Sequence, residues 1–581
     1  MSLLDLASLV LAPTATKEGK VYSAIPDTGE GDMTFTRGSA ATRVNSAGLI
    51  EKERGNLLLQ SNTFDTTWIT RDSSVTSGQS GYDGSSDAWL LTATNTEDAY
   101  VEQSNSLTGV GTFSVYAKKG TADFVIVYPR NTPNPIAWFD LANGSIGLTA
   151  NTIDAKIEAV GGGWYRCSVT GNFTASGNVR IYATDADASP AVTNGAYIYI
   201  QDAMLNEGLV AQSYIETTTT AIYEGITDDV PRVDYSGGGC PSLLLEGQRT
   251  NLVTQSEYFG AWTNDTNISL TANAIQSPSG LIDAYKISAG TSTARQAIKL
   301  LLTPSGDVVQ SVFAKKGEYS VVQITDGRNP NLYANFDLEN GVLGNYEDCT
   351  PSIEKFSDGW YRCVIVYNST LDIVNTRISI AESPTQARLV NFAGNGSDGI
   401  YIWGAMVEAG SYRTSYLPTY GTSTTRAVDI VDGAVDASLF NDSEGVLFVE
   451  FAALADTRDN DFRFLICDGT NNERIQIFLP TSNILNVDCI VSNSATANLT
   501  YTLTNPSSSH KVAFKYKNND FALWVDGVER GTDTSGGTPT GLDRLDFYRT
   551  PNNNNYVEAN VKQAIYFGTA LTDTQLQELT K

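Results

Sequence analysis

One pentapeptide occurs twice in this chain and determines how the rest must be divided. Gly-Trp-Tyr-Arg-Cys stands at residues 163–167 and again at 359–363, 196 residues further on. Neighbouring blocks repeat at nearly the same spacing: 115–120 with 312–317, and 139–144 with 336–341. Similarity at a fixed spacing is typical of a duplicated structural unit. We therefore predict two copies of one domain.

The repeats divide the sequence into five parts. We predict an N-terminal segment at 1–55, a first module at 56–220, a connector at 221–250, a second module at 251–427 and a C-terminal domain at 428–581. The N-terminal segment contains too few apolar residues for a core of its own. We therefore expect it to pack against another chain or surface.

Short runs of β-branched and aromatic residues, separated by Gly, Asn, Asp and Thr, fill both modules and the C-terminal domain. Such runs are typical of antiparallel β-sandwiches. In the C-terminal domain, residues 517–520 predict a hairpin turn between two strands. The best helix candidate is 571–579, with Thr572 as its N-cap. We predict an all-β protein with one short terminal helix.

Charge and composition exclude several classes of function. The net charge is −27 with a pI near 4.4, which disfavours binding to nucleic acid and to anionic membranes. No apolar run reaches the roughly 20 residues of a membrane-spanning helix, so we predict no membrane insertion. The six cysteines share no repeated partner position between the modules, so we predict free thiols and synthesis in a reducing cytoplasm.

Four short segments carry a resemblance to a known family: 42–51, 230–235, 238–246 and 248–252. They resemble segments of head-fibre, spike and tail-fibre proteins of tailed bacteriophages. In that family they precede a domain similar to jelly-roll carbohydrate-binding modules. Residues 428–581 are similar to concanavalin-like or laminin-G-like lectin domains. In proteins with one such module, the connector closely follows the first segment. Here the first module lies between them, as an insertion or duplication would place it.

The resemblance implies a fold and a set of partners. The expected fold class is all-β, with two tandem jelly-roll sandwiches, a concanavalin-like sandwich and a short extended N-terminal attachment segment. The expected location is the virion, after synthesis in the host bacterial cytoplasm. The expected partners are a capsid or tail protein, bound through the N-terminal segment, and a bacterial-surface or mucus polysaccharide. A homotrimer is the usual assembly in such fibres.

Catalysis has little support in the sequence. The only histidine, His510, is the one base that a Ser-His-Asp triad could use, and no zinc or nucleotide motif occurs. A glycosidase needs only two carboxylates. However, the acids shared by both repeats, Asp140 and Asp337, precede Asn-Gly and predict hairpin turns. We expect no enzyme, no cofactor and no metal site; calcium stays unassigned because no Asp-x-Asp-x-Asp-Gly loop occurs.

Sugar binding requires flat aromatic rings beside planar polar side chains. The glycan-binding candidates are Arg130, Asn131 and Trp138 in the first module, Arg328, Asn329, Tyr333 and Trp403 in the second, and Tyr548, Arg549 and Asn552 in the C-terminal domain. The alternative is that the Arg-Asn segments form turns in which each Arg pairs with an acid. In the repeated pentapeptide, strand alternation puts the Tyr and Cys on one face, which favours packing over binding.

We therefore predict a non-catalytic virion fibre or spike that binds glycans through repeated modules. Two other classes of function stay open. One is a tail-fibre polysaccharide depolymerase, and the other is a purely structural capsid decoration protein. The sequence does not identify the glycan, the host or the choice between capsid and tail.

Overall fold

The chain was analysed as a computed structural model that describes residues 3–264, 268–304, 306–369, 374–455, 461–550 and 553–581. Among these residues, no helix is both long and apolar enough to cross a membrane. Short 3-10 helices lie at Leu3–Leu6, Phe259–Ala261, Ser357–Gly359 and Ala437–Leu439. In the described ranges, all other regular structure is β, apart from one C-terminal α-helix.

The N-terminal segment forms five strands. They are β1 (Leu9–Lys17), β2 (Lys20–Ile25), β3 (Met33–Thr36), β4 (Thr42–Val44) and β5 (Ile50–Lys52). Strands β4 and β5 form a hairpin in which the Asn45 side chain accepts hydrogen bonds from the backbone N–H groups of Ala47 and Leu49. Such a bond from an Asn to its own turn stabilises a tight reversal.

The first module is a sandwich of two six-stranded antiparallel sheets. Its strands are β6 (Arg54–Asn56), β7 (Ile69–Arg71), β8 (Ser73–Gln79), β9 (Ala88–Ala93), β10 (Tyr100–Asn105), β11 (Gly109–Lys119), β12 (Phe124–Arg130), β13 (Ile136–Asp140), β14 (Ser145–Ala150), β15 (Asp154–Gly161), β16 (Trp164–Phe173), β17 (Gly177–Thr184), β18 (Tyr197–Glu207) and β19 (Ile222–Glu224). One sheet has the order β14-β13-β12-β17-β10-β7 and the other β15-β16-β11-β18-β9-β8.

The second module repeats this arrangement after a short connector. The connector strands are β20 (Val233–Asp234) and β21 (Ser242–Leu245). The module strands are β22 (Arg249–Asn251), β23 (Thr263–Asn264), β24 (Ser269–Ile275), β25 (Ala284–Ser288), β26 (Ala297–Leu302), β27 (Gly306–Lys315), β28 (Val321–Asp326), β29 (Tyr333–Asp337), β30 (Val342–Glu347), β31 (Thr350–Lys355), β32 (Trp360–Ser369), β33 (Val374–Ala381), β34 (Gly399–Ala409) and β35 (Thr424–Arg426). The two sheets run β23-β26-β33-β28-β29-β30 and β24-β25-β34-β27-β32-β31.

The C-terminal sandwich contains the remaining elements: β36 (Ile430–Asp432), β37 (Ala434–Val435), β38 (Glu444–Ala453), β39 (Phe462–Cys467), β40 (Arg474–Leu479), β41 (Ile484–Val491), β42 (Ser494–Thr502), β43 (His510–Lys517), β44 (Phe521–Val525), β45 (Val528–Asp533), β46 (Arg544–Asp546), β47 (Tyr548–Thr550), β48 (Asn553–Tyr556), β49 (Ala559–Phe567) and helix α1 (Asp573–Thr580). The predicted hairpin β43–β44 is confirmed, and so is the helix, whose Thr572 cap pairs with Gln575 in a capping box. The predicted all-β class, with two tandem β-sandwiches followed by a third, is confirmed.

The N-terminal segment belongs to the C-terminal sandwich. Strand β1 lies between β2 and β49, and β3 pairs with β36, so the main sheet has the order β36-β3-β2-β1-β49-β38-β43-β44-β45. The N-terminal segment therefore packs against the C-terminal domain of the same chain. The predicted boundaries at residues 55 and 428 separate two stretches of sequence that together form one sandwich. Sequence order could not show this, because β1 and β49 lie more than 500 residues apart.

Both modules are excursions from this sandwich, each closed by a two-strand stem. In the first, β6 pairs with β19, and Arg54 bonds Glu224 at 2.7 Å. In the second, β22 pairs with β35 in the equivalent place. The chain therefore leaves and re-enters at one point for each module, as expected of inserted domains.

A buried ionic cluster, which we call the joint, ties these entry and exit points together. It consists of Arg37, Arg232, Glu246, Arg426 and Asp429, all of them buried. Asp429 accepts hydrogen bonds from Arg37 and Arg232, while Glu246 accepts from Arg232 at 2.6 Å and contacts Arg426 at 2.8 Å. Buried charges are tolerated only when they are paired in this way.

The repeated pentapeptide is part of the packing, as predicted. Cys167 and Cys363 lie in the two module cores. The arginines on the opposite face bond backbone carbonyls near the end of each module, Arg166 to Gln212 and Arg362 to Thr414. All six cysteines are free thiols, which agrees with the prediction.

Candidate functional site

One sheet of the first module carries a cluster of rings on the side that faces away from the core. The sheet is β14-β13-β12-β17-β10-β7, and we call this side the outer face. Alternate residues of β12 point there, because Val125 and Val127 belong to the core while Ile126 and Tyr128 belong to a separate cluster. The cluster consists of Tyr100, Phe124, Ile126, Tyr128, Ile136, Trp138 and Tyr182.

The rings form a continuous floor. The centroids of Tyr100 and Tyr182 are 4.6 Å apart, and those of Tyr128 and Tyr182 are 6.5 Å apart. Tyr100 and Tyr182 are buried, whereas Tyr128 is half-buried and so presents part of its ring to solvent. Burial raises the pKa of Tyr182, so its hydroxyl stays protonated at neutral pH. A partly open ring over buried neighbours is a suitable surface for the apolar side of a sugar.

Planar polar side chains border this floor. The guanidinium carbon of Arg180 lies 4.3 Å from the centroid of the Tyr100 ring, and Arg180 donates to Glu102 at 2.7 Å. Asn178 donates to the same carboxylate at 3.0 Å. These bonds fix the three side chains in one layer. Guanidinium, amide and carboxylate groups have the donors and acceptors that bond sugar hydroxyls.

The predicted residues Arg130 and Asn131 separate in the structure. Arg130 is exposed at the end of β12, on the outer face next to Asn178. Asn131 is buried, and its amide exchanges hydrogen bonds with Asn105 and donates to Leu107. The prediction for Asn131 was therefore wrong about its role, because it fixes the loop instead of facing a ligand.

Trp138 also lies on the outer face, opposite Ile126 in the sheet. Only 8% of it is exposed, and its indole N–H donates to the carbonyl of Ser189 at 3.1 Å. The ring therefore supports the floor and offers little open surface. Strand alternation could have placed Tyr128 on this face, because it follows Phe124 and Ile126 at intervals of two.

The same face of the second module is closed by its own chain. Gln323 and Asn335 replace Ile126 and Trp138, and they bond the backbone of the segment between β33 and β34. Arg388 from that segment donates to the hydroxyl of Thr325, which occupies the position of Tyr128. The segment between β33 and β34 has 17 residues, 382–398, whereas the equivalent segment between β17 and β18 of the first module has 12, 185–196.

The predicted binding residues of the second module do not form an open site. Tyr333 is buried, with 8% exposure, so it offers no open ring. Arg328 is exposed in the loop after β28, and Asn329 accepts a hydrogen bond from the backbone of Asn331. The expected Arg-Asn-aromatic platform is therefore not assembled in this copy, because the aromatic member is covered.

Trp403 was wrong as a glycan contact. Its ring is fully buried and packs against Phe313 and Tyr416, with centroids 5.4 and 4.7 Å away. Ile50 from the N-terminal hairpin joins the same cluster, and the Lys52 ammonium lies 5.6 Å from the Trp403 ring. The N-terminal hairpin that covers this ring is distant from Trp403 in sequence, so the sequence alone did not show that it buries the ring.

The C-terminal candidates are only partly described. Tyr548 and Arg549 form strand β47, which pairs with β48. Their side chains and the whole of Asn552 lie outside the described residues. A glycan contact at these three positions therefore stays a prediction.

The groups considered for catalysis serve as structural contacts. Both ring nitrogens of His510 face acceptors, the Asp526 carboxylate at 2.7 Å and the Asn505 carbonyl at 2.9 Å. The bond to Asp526 raises the pKa of His510, although burial opposes this. Both ring nitrogens already face acceptors within the fold, so neither is open to take a proton from a substrate. Asp140 and Asp337 accept bonds from the Asn and the backbone of their own turns, which confirms the turn prediction.

Metal binding was tested on the part of the chain that the structure describes. Within it, no group of three or more His, Cys, Asp or Glu side chains is arranged to hold a metal ion. Calcium therefore remains unassigned.

Comparison with known proteins gives no family assignment. No family model and no curated protein matches the sequence. Among solved structures, the chain is similar to the CBM40 module of Ruminococcus gnavus IT-sialidase bound to alpha2,3 sialyllactose, with 14% identity, 25% of this chain and 86% of that chain covered, and a TM-score of 0.22. The tandem CBM22 domain of Paenibacillus barcinonensis Xyn10C gives 13% identity, 61% and 97% coverage and a TM-score of 0.18.

A third similarity is to domains LG4-5 of the mouse laminin alpha1 chain, with 12% identity, 49% of this chain and 91% of that chain covered, and a TM-score of 0.17. At these values the similarities carry no argument about a ligand. The site must be judged on its own geometry.

Proposed function

We propose that the chain is a non-enzymatic fibre or spike component of a tailed-phage virion that binds host-surface or mucus glycans. The observation that supports binding is the outer face of the first module. There the half-open ring of Tyr128 lies beside Arg130, Arg180 and Asn178 in a rigid sheet. Recognition of sugars needs this combination of ring stacking and fixed planar hydrogen-bonding groups.

The proposal gives one open site per chain instead of two. The second module retains the sandwich, but Arg388 and its segment occupy the equivalent face. A single weak site gains strength through assembly, because linked sites raise avidity 10²–10⁴-fold. A homotrimer, the assembly implied by the resemblance to phage fibres, would present three such faces.

The virion role rests on the resemblance of residues 42–51 and 230–252 to phage fibre segments. Attachment to a capsid or tail protein would use the N-terminal part of the molecule. Strands β1–β3 are built into the C-terminal sandwich, so an attachment site there would be a folded surface. Cryo-electron microscopy of the parent particle tests this role by showing which end of the chain meets the particle.

The glycan-binding proposal is tested with Tyr128→Ala and Arg130→Ala on a glycan array and by calorimetry. Losing ring stacking is expected to weaken binding about tenfold. Tyr346→Ala is the matched control, because Tyr346 is 54% exposed on the second module. Equal binding by Tyr128→Ala and by the control would rule out the outer face.

Experiments on the same protein distinguish two other functions. Release of reducing sugar from host capsule would establish a depolymerase. Absence of any glycan hit, together with location on the particle, would favour a structural decoration protein.

A further inference from the structure

A cleft of about 590 Å³ lies at the base of the first module, beside the β6–β19 stem. We call it the stem cleft. Its walls come from the end of β10 and residues 104–108, from Glu207 at the end of β18, and from Leu57 and Tyr223 of the stem region. This volume falls within the 300–1,000 Å³ typical of small-molecule sites.

The stem cleft has an apolar side with an open ring. Tyr223 is 49% exposed, and one side of its ring is packed against Gly55, where an added Cβ atom would lie 2.5 Å from the ring. The glycine therefore permits the ring to lie flat on the backbone. Leu57, Leu59 and Ala221 extend this apolar surface. A flat ring held in this way suits stacking against a pyranose.

The opposite side is polar and rigidly built. Gln103 bonds the backbone of Leu59 through both ends of its amide, and Asn105 pairs with Asn131. Ser104, Ser106 and Thr108 are exposed along the same wall. The wall is therefore fixed in shape and rich in hydroxyl groups.

The inner end of the cleft is closed. Leu57, Glu207 and Tyr223 separate it from a smaller hollow lined by Gln212 and Tyr420, which has a volume of only about 20 Å³. Gln212 is 6% exposed, and its side-chain oxygen Oε1 is shielded from solvent. A sugar cannot enter a space of this size, so a ligand is confined to the stem cleft.

The charges at this end disfavour an anion. Burial and the neighbouring carboxylates of Asp228 and Glu207 raise the pKa of Glu53 to about 7. Burial among the surrounding residues also raises the pKa of Glu207, and the positive charge of Lys52 partly offsets this rise. The Glu207 side chain nevertheless faces the cleft. The nearby Arg54 is paired with Glu224. A further negative charge would meet repulsion here, whereas protonated carboxyl groups donate hydrogen bonds.

We propose that the stem cleft is a second carbohydrate site, which binds an uncharged oligosaccharide between Tyr223 and the hydroxyl-lined wall. This site is independent of the outer face. It gives each chain two sites with different surroundings, one bordered by arginines and the other by carboxyl groups.

The test uses the full chain and calorimetric titration with three neutral trisaccharides, cellotriose, maltotriose and chitotriose, and with trigalacturonate as an anionic probe. Binding of at least one neutral trisaccharide is expected, with little or no binding of trigalacturonate in the same cleft. Tyr223→Ala should weaken binding about tenfold. Ser106→Trp should abolish it, because the indole would fill the cleft from an exposed rim without disturbing the core.

Two controls separate this site from the outer face. Tyr346→Ala should bind as the unaltered chain does, and Tyr128→Ala should retain binding in the cleft. If Tyr128→Ala loses the trisaccharide while Ser106→Trp keeps it, the ligand sits on the outer face and the stem cleft is refuted. Preference for trigalacturonate, or no binding of any neutral trisaccharide at millimolar concentration, would also overturn the proposal.

Discussion

The charged side chains of the joint contribute more to stability than charged residues usually do, because they are buried and paired. Arg37, Arg232 and Arg426 come from three separate stretches, yet two carboxylates, Glu246 and Asp429, hold all of them in the interior. The arginines Arg426 and Arg232 lower the pKa of Glu246 strongly against the effect of burial. Two of the five joint residues, Arg232 and Glu246, lie in segments that resemble phage fibres.

Asp429→Asn is expected to destabilise the chain markedly. The change leaves Arg37 and Arg232 buried without their shared carboxylate, and breaking a buried pair of this kind costs about 3–5 kcal/mol. The measurement is the midpoint of guanidinium unfolding followed by tryptophan fluorescence. Glu51→Gln is the matched control, because it breaks the half-exposed Arg43–Glu51 pair, worth at most about 1 kcal/mol. Equal shifts in the two variants would show that the joint contributes nothing special.

Whole strands show which parts of the fold the sequence could predict. The duplicated blocks and the alternating apolar residues were enough for two sandwiches, because the strands of each module's two sheets pair only with strands of the same module. The pairing of β1 with β49 was not predictable, because no pattern in residues 9–17 indicates a pairing strand more than 500 residues away.

The same limit applies to the candidate site. Alternation along β12 and β13 places Arg130 and Trp138 on one face, as the structure shows. Alternation could not show that the indole N–H of Trp138 bonds the carbonyl of Ser189. Nor could it show that a longer segment covers the equivalent face of the second module. Both effects come from loops whose positions depend on the folded core.

Removing residues 1–36 should prevent the C-terminal sandwich from folding. This truncation deletes five buried core side chains, Leu9, Leu11, Val21, Met33 and Phe35. At about 1.5–3 kcal/mol each, their burial contributes up to about 7–15 kcal/mol, which equals the whole stability of a typical domain. The loss also uncovers the part of β49 that pairs with β1, residues 564–566, and open strand edges aggregate.

Soluble yield, near-ultraviolet circular dichroism and binding of a hydrophobic dye report this outcome. Leu4→Ala is the control, because Leu4 is 47% exposed and its loss should leave all three unchanged. A truncated chain that stays soluble with native dichroism would mean that β1–β3 are dispensable.

At the scale of the complete chain, the two modules differ in how firmly they are attached. The first contributes Val110 and Leu209 to the core of the second. The second is tied in addition to the N-terminal segment, because Ile50 of the N-terminal hairpin enters its aromatic cluster and Lys52 bonds Glu257 at 2.7 Å. The first module is therefore an appendage to a unit formed by the second module and the C-terminal sandwich.

This difference predicts an asymmetric response to excision. Asn56 lies opposite Ile222 in the stem, so residues 57–221 can be replaced by an Asn-Gly turn that closes β6 and β19 into a hairpin. The remaining chain should fold with the joint intact, at a cost of up to about 3–6 kcal/mol for the partners of Val110 and Leu209. It should lose glycan binding at both proposed sites.

The matched excision removes residues 252–423 and closes β22 and β35 with the same turn, because Asn251 lies opposite Thr424. It should not give a stable protein, since Lys52 loses its buried partner and Ile50 loses its apolar surroundings. Thermal unfolding and size-exclusion chromatography compare the two products. A stable product from the second excision and an unfolded one from the first would reverse the hierarchy inferred here, and it would place the first module at the centre of the molecule.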